Sequence, residues 1–177
     1  GSTSKKIKSY LFIGNKFHLN FSSKIDGKIG SFKVEIDQFY TPLYLENKKK
    51  LFCIIYAMYL LKTLTADNQE NKKIYNLIDD FFEILSNDNW LINFIYWELD
   101  FFKNIGYDID FKNYTETVNL KGEKKFIVKS MNKIIPNFLI DKNNETENLS
   151  DLFNGLKLVG DYLDKTILKP NNFSQPS

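Results

Sequence analysis

Seven lysines, Lys5, Lys6, Lys8, Lys16, Lys24, Lys28 and Lys33, stand near the front of the chain with Asp26 as the only acid among them. They are interleaved with Tyr10, Phe12, Phe17, Phe21 and Phe32. Ammonium groups neutralise phosphates and aromatic rings stack on unpaired bases, so this pattern suits sequence-tolerant, salt-sensitive binding of single-stranded nucleic acid. The competing reading is a solvated face without a ligand. All 24 basic residues are lysines. Lysine grips phosphate as a point charge and lacks the planar fork with which arginine reads guanine edges. A second cluster, Lys48-Lys49-Lys50, stands at the start of the first expected helix, where positive charge opposes the helix dipole and hints at a contact.

Other chemistry has less to build on. There is no phosphate-cradling glycine loop, no paired-His metal motif and no Ser/His/Asp order. An enzyme would have to use carboxylates: Glu98, Asp108 and Asp110 lie close in sequence and could hold Mg²⁺ through oxygens, as in a metal-dependent nuclease. Against this, Asp108 and Asp110 alternate with Tyr107, Ile109 and Phe111, the pattern of a solvent-facing segment after a helix. His18, the only histidine, has no orienting partner or nucleophile spelled out beside it and is expected at the surface. Cys53 is a lone cysteine in an apolar run, unable to form an internal disulfide or a thiolate metal site, and is expected in the core. No cofactor is implied.

These residues sit on a chain of 177 residues and 20.8 kDa, long enough for one ordinary domain or two small ones. Hydrophobic residues make up 43% and aromatics 16%, which excludes disorder throughout. The longest apolar run, Leu51 to Leu61, is about half the ~20 residues needed to span a bilayer. With no leader-like apolar stretch behind the early lysines, a cytoplasmic location is expected. The net charge of +2 conceals an asymmetry: residues 1–50 hold ten lysines against four acids, a balance of +6, whereas the remainder carries −4. Different partners for the two regions follow.

Period-two alternation at Phe17, Leu19 and Phe21, and again at Phe32, Val34 and Ile36, predicts two half-buried strands joined as an antiparallel hairpin through Asp26-Gly27 and Gly30. A third short strand is expected over Ser9 to Ile13, leaving a sheet incomplete as given. After Pro42 the period is helical. The stripes Leu51, Ile54, Ile55, Met58, Leu61, Lys62 and Ile74, Leu77, Ile78, Phe81, Leu85 predict two amphipathic helices. A third should start at an Asp88 cap, bury Leu91, Phe94, Ile95, Glu98 and Phe102, and stop at Gly106. Glu98 on that stripe should be partly buried and hydrogen-bonded. Tyr107 to Asn148 reads as polar and irregular with a short strand at Lys125 to Lys129. A final helix from about Ser150 to Leu168, closed by Pro170, should pack closely through Gly155 and Gly160 in a four-helix bundle. The tail beyond Pro170 should fray.

The segment Trp97-Glu98-Leu99 through Ile105-Gly106-Tyr107 to Asp108-Ile109-Asp110-Phe111 resembles the signature of the bacterial DNA repair protein RecO family. Gly155-Leu156-Lys157-Leu158-Val159-Gly160-Asp161-Tyr162-Leu163, Ile135-Pro136-Asn137-Phe138-Leu139 and Gly30-Ser31-Phe32 resemble further family segments. The resemblance implies an α+β chain: a partial N-terminal OB-fold over 1–42, a mostly α-helical RecO-like domain over 43–170 and a flexible tail over 171–177. It implies a recombination mediator without turnover chemistry, which binds single-stranded DNA, anneals strands, remodels single-stranded DNA-binding protein and works with RecR to load RecA. DNA contact then falls to Lys5, Lys6, Lys8, Lys16, Lys24, Lys28 and Lys33. Three departures stand out. The opening Gly1-Ser2-Thr3-Ser4-Lys5-Lys6 resembles an internal family stretch, so an N-terminally truncated chain is expected. Lys112-Asn113-Tyr114-Thr115 offers no thiolate where relatives carry zinc-binding cysteines, and Tyr96 replaces an arginine. Two alternatives stay open: a helical protein-interaction module without DNA binding, and a metal-dependent nuclease.

Overall fold

Alternating apolar residues make strands where the alternation predicts them. In the computed structural model, which describes residues 12–23, 29–66, 70–120, 122–128, 133–144 and 146–173, β1 (Lys16–Ser22) pairs antiparallel with β2 (Ser31–Gln38). Phe17 lies opposite Ile36, Leu19 opposite Val34 and Phe21 opposite Phe32, with a bulge-like shift of register at Lys16. A Cβ on Gly30 would sit 2.3 Å from the Ser22 carbonyl oxygen, so only glycine admits the return of the chain against β1. The Asp26-Gly27 turn lies outside the described residues, as do Ser9 to Leu11 of the expected third strand. The described end of that strand, Phe12 and Ile13, is a turn instead: the amide of Asn15 returns to the carbonyl of Phe12 at 3.3 Å. The Thr41 hydroxyl donates to the Ile13 carbonyl and is itself buried.

The chain divides into two compact units, Gly1–Thr65 and Ala66–Ser177. The first unit continues after the hairpin with a 3₁₀ turn over Thr41–Tyr44 and helix α1 (Lys48–Leu64). Asn47 starts α1 by accepting the Lys50 amide on its side chain at 3.2 Å, and the Thr65 hydroxyl closes it on the Leu61 carbonyl. Its buried residues are Cys53, Ile54, Ala57, Leu60 and Leu61. Cys53 is in the core as expected. The buried face nevertheless departs from the expected stripe, because Ile55 is 41% exposed. A helix apolar on nearly every side gives periodicity little to distinguish.

In the second unit, α2 (Lys72–Ser86) is capped by Asn71, whose side chain accepts the Ile74 amide at 3.1 Å. Helix α3 (Trp90–Asn104) follows, starting from Asn89; Asp88 lies in the preceding turn and is not the cap. Gly106 stops α3 as expected. At φ +94 it lets its own amide reach the Lys103 carbonyl at 3.1 Å and the Tyr107 amide reach Phe102 at 2.8 Å, the paired bonds of a Schellman ending. Helices α2 and α3 bury a continuous aromatic cluster. The ring centroid of Trp97 is 4.9 Å from Phe81, 5.9 Å from Phe94 and 5.7 Å from Phe101, and its indole N–H donates to the Leu77 carbonyl at 2.7 Å.

The stretch read as irregular holds a three-stranded antiparallel sheet in the order β3-β4-β5: β3 (Thr115–Leu120), β4 (Glu123–Val128) and β5 (Lys133–Ile135). The expected strand at 125–129 is the centre of this sheet. After the short helical turn α4 (Asn137–Ile140), helix α5 (Leu149–Leu163) is capped by the Asn148 side chain on the Ser150 amide. A Cβ on Gly155 would meet the Phe138 ring at 2.5 Å, so close packing there is real; Gly160 has nothing within 4 Å and plays no such part. Pro170 does not end the helical path. Winding continues through a π turn over Asp164–Leu168 and a 3₁₀ turn over Lys169–Asn171, until Asn172 at φ 60 breaks it. Of the four long helices, α2, α3 and α5 belong to this unit, with α3 packed on α2 and α5, and α1 belongs to the other. Among the described residues no helix is long and apolar enough to cross a membrane. The fold is α+β, and its leading hairpin is consistent with part of an OB-fold.

Candidate nucleic-acid interface

The same alternation that makes the hairpin divides its chemistry between two faces. One face carries the pairs Phe17/Ile36, Leu19/Val34 and Phe21/Phe32. Phe21 and Phe32 touch at 5.0 Å between centroids and are 57% and 63% exposed, and Leu19 and Val34 are about half exposed. The other face carries His18 opposite Glu35, Asn20 opposite Lys33 and Ser22 opposite Ser31. Lys33 and Glu35 form an ion pair at 2.6 Å. The hydrogen bond from Lys33, with its positive charge, holds the Glu35 carboxyl below its ordinary pKa, and the same contact raises the Lys33 ammonium. Such an exposed pair adds little to stability. Rings for stacking and the Lys33 charge are therefore offered by opposite faces.

Of the seven lysines that the sequence singles out, Lys16 and Lys33 lie within the described residues, Lys16 half-buried where β1 begins and Lys33 exposed in β2. Lys5, Lys6, Lys8, Lys24 and Lys28 lie outside them. His18 is exposed, as expected.

The three carboxylates of the nuclease reading are engaged separately. Glu98 is 1% exposed in α3, more deeply buried than expected. Asp108 faces Lys103 at 3.7 Å. Asp110 accepts the Lys112 amide at 3.0 Å and the Asn113 side-chain amide at 2.8 Å, fastening the turn over Phe111–Tyr114. Among the described residues no group of three His, Cys, Asp or Glu is placed to share an ion. Glu98, Asp108 and Asp110 are thus not gathered into one such group.

Sequence reasoning left two features incomplete. Around the Lys48–Lys50 cluster, the Lys50 ammonium lies 5.7 Å from the Tyr44 ring centroid, and Phe52 and Tyr56 stack at 6.4 Å with 14° between planes. Four-residue spacing from Lys48 to Phe52 to Tyr56 was the available signal. In the second unit an open cleft of about 550 Å³ is lined by Lys124, Lys125, Asn137, Asn144, Thr146 and Asp151 with apolar residues of β5 and α4. It depends on a sheet whose strands the sequence pattern alone does not bring together.

Residues 45–165 match the family model described as "Recombination protein O C terminal". The chain is 29% identical over 109 residues to the DNA repair protein RecO of Ehrlichia chaffeensis, covering 60% of this chain and 45% of that protein. To the same-named protein of Rickettsia africae it is 27% identical over 107 residues, again 60% of this chain and 45% of the relative. To that of Rickettsia bellii it is 26% identical over 109 residues, 62% of this chain and 45% of the relative. The chain thus spans about half the length of the curated relatives it matches. No solved structure matches it. With most of its length, from before α1 to the end of α5, fitting one family model, the chain belongs to the recombination protein O C-terminal family.

Proposed function

We propose that this chain serves DNA repair and homologous recombination as a mediator. In this reading it binds single-stranded DNA, promotes annealing, and helps RecR load RecA onto DNA coated by single-stranded DNA-binding protein, in the cytoplasm and without turnover chemistry of its own. The family match over residues 45–165 carries the reading, supported by relatives named DNA repair protein RecO. The lysines at 5, 6, 8, 16, 24, 28 and 33 are the proposed DNA contacts of a front region over 1–42. Residues 43–170 form the proposed partner-binding region and 171–177 a tail.

The test is binding of a labelled single-stranded oligonucleotide across a salt series. Affinity should fall steeply as salt rises, because each neutralised phosphate releases counterions. Charge reversal at Lys16 and Lys33 should weaken binding and flatten the salt slope by about 0.7 for each phosphate that is no longer neutralised. Salt-independent binding would remove the electrostatic mechanism. The protein-interaction reading is favoured by one specific observation, the engagement of Lys33 by Glu35 on a face without rings. It predicts capture of RecR or single-stranded DNA-binding protein by a chain that retains no oligonucleotide.

A further inference from the structure

Helix α1 carries an arrangement that the hairpin does not: charge and rings on one surface. Lys48 and Lys49 are exposed, and each lies one helical turn before Phe52, since residues three and four apart are neighbours on a helix. Phe52 is 57% exposed and stacks nearly parallel on Tyr56, one further turn along. Lys50 lies over the Tyr44 ring, beside exposed Leu43 and Leu45. Glu46 is the only acid between Phe39 and Leu64, against the lysines at 48, 49, 50 and 62. This stretch is therefore positive on balance and fitted with flat apolar faces.

Charge alone would suit any polyanion. The exposed Phe52 ring, backed by the half-buried Tyr56 ring nearly parallel to it, narrows the choice, because planar bases stack on aromatic faces whereas a base-free polyanion gains nothing from them. Lysine in place of arginine supplies phosphate contact without reading base edges, so the ligand would be taken irrespective of sequence. We propose that the first two turns of α1, through Lys48, Lys49 and Phe52, form a contact for single-stranded nucleic acid separate from the hairpin lysines. This rests on the mediator reading and moves part of its DNA contact onto residues inside the family match.

The experiment uses the full chain, labelled oligothymidylate and a potassium chloride series, with three variants whose folding is checked by circular dichroism: K48E/K49E, F52A and K16E/K33E. K48E/K49E should lower affinity at least about tenfold at moderate salt and flatten the logarithmic salt slope by about 1.4. F52A should weaken oligothymidylate binding roughly fivefold or more while leaving binding of inorganic polyphosphate unchanged, because only stacking is removed. Full affinity and slope in K48E/K49E, with weakened binding in K16E/K33E, overturns the α1 contact and leaves the mediator reading standing. Absence of oligonucleotide binding by the unaltered chain overturns both. An equal drop in polyphosphate binding by F52A overturns the stacking contact, as does binding of phosphatidylglycerol vesicles in place of oligothymidylate.

Discussion

Phenylalanine is used in opposite ways in the two units. Phe101 and Phe102 in α3 are fully buried, in ring contact with each other and, for Phe101, with Trp97. Phe21 and Phe32 in the hairpin also touch, yet each remains more than half exposed. The contact is similar but the water removed is not, and burial rather than ring pairing provides most of the stabilisation. The second unit is held by a desolvated aromatic cluster. The hairpin relies on ladder hydrogen bonds and leaves its apolar face available.

The sharpest break of this comparison is one truncation made in both places. Trp97→Ala or Phe101→Ala should cost about 3–5 kcal/mol in urea unfolding followed by tryptophan fluorescence, which reports the second unit because Trp90 and Trp97 both lie there. Phe32→Ala should leave that transition unchanged. A comparable destabilisation by Phe32→Ala would show that the hairpin rings are structural.

Gly155→Ala drives a Cβ into the Phe138 ring at 2.5 Å and should destabilise the second unit by roughly 1–3 kcal/mol, the usual result of overpacking. Gly160→Ala, with open space around it, should stabilise α5 by about 0.5–1 kcal/mol. The two glycines lie on one helix, so thermal unfolding of the pair separates packing from backbone propensity.

The smallest effect is electrostatic. Lys133 in β5 meets Asp161 in α5 at 2.9 Å, and its hydrogen bond, more than its charge, holds the Asp161 carboxyl below its ordinary range. A depressed folded-state pKa means that the stabilisation is complete above the ordinary carboxylate pKa and is lost as pH falls through the lower folded value. Both side chains are more than one-third exposed, which limits the gain to about 0.5 kcal/mol. Asp161→Asn should therefore lower stability slightly at neutral pH and not in acid, as read by urea midpoints at the two pH values.

The aromatic stripes of α2 and α3, the Gly106 stop and the hairpin were legible because each depends on neighbours within a few residues: period, cap and turn. α1 was legible as a helix but not in orientation, since apolar residues on nearly all sides leave its buried face to be chosen by packing. The sheet β3-β4-β5 was mostly missed. Thr115 to Leu120 contains Glu116 and Asn119, poor strand formers, and it becomes a strand by pairing with β4.

The seven lysines and the Lys48–Lys50 cluster were visible as composition, but composition carries no direction. Sequence by itself determined the α+β class, the charge asymmetry, the helical period and the family motifs, all properties of short windows. Tertiary structure decided which residues share a surface: Lys33 away from the hairpin rings, Lys48 and Lys49 beside Phe52, Glu98 buried and Asp110 tied into a turn. Strand alternation and helix rotation assign neighbouring residues to different faces, and long-range packing selects which of those faces water reaches.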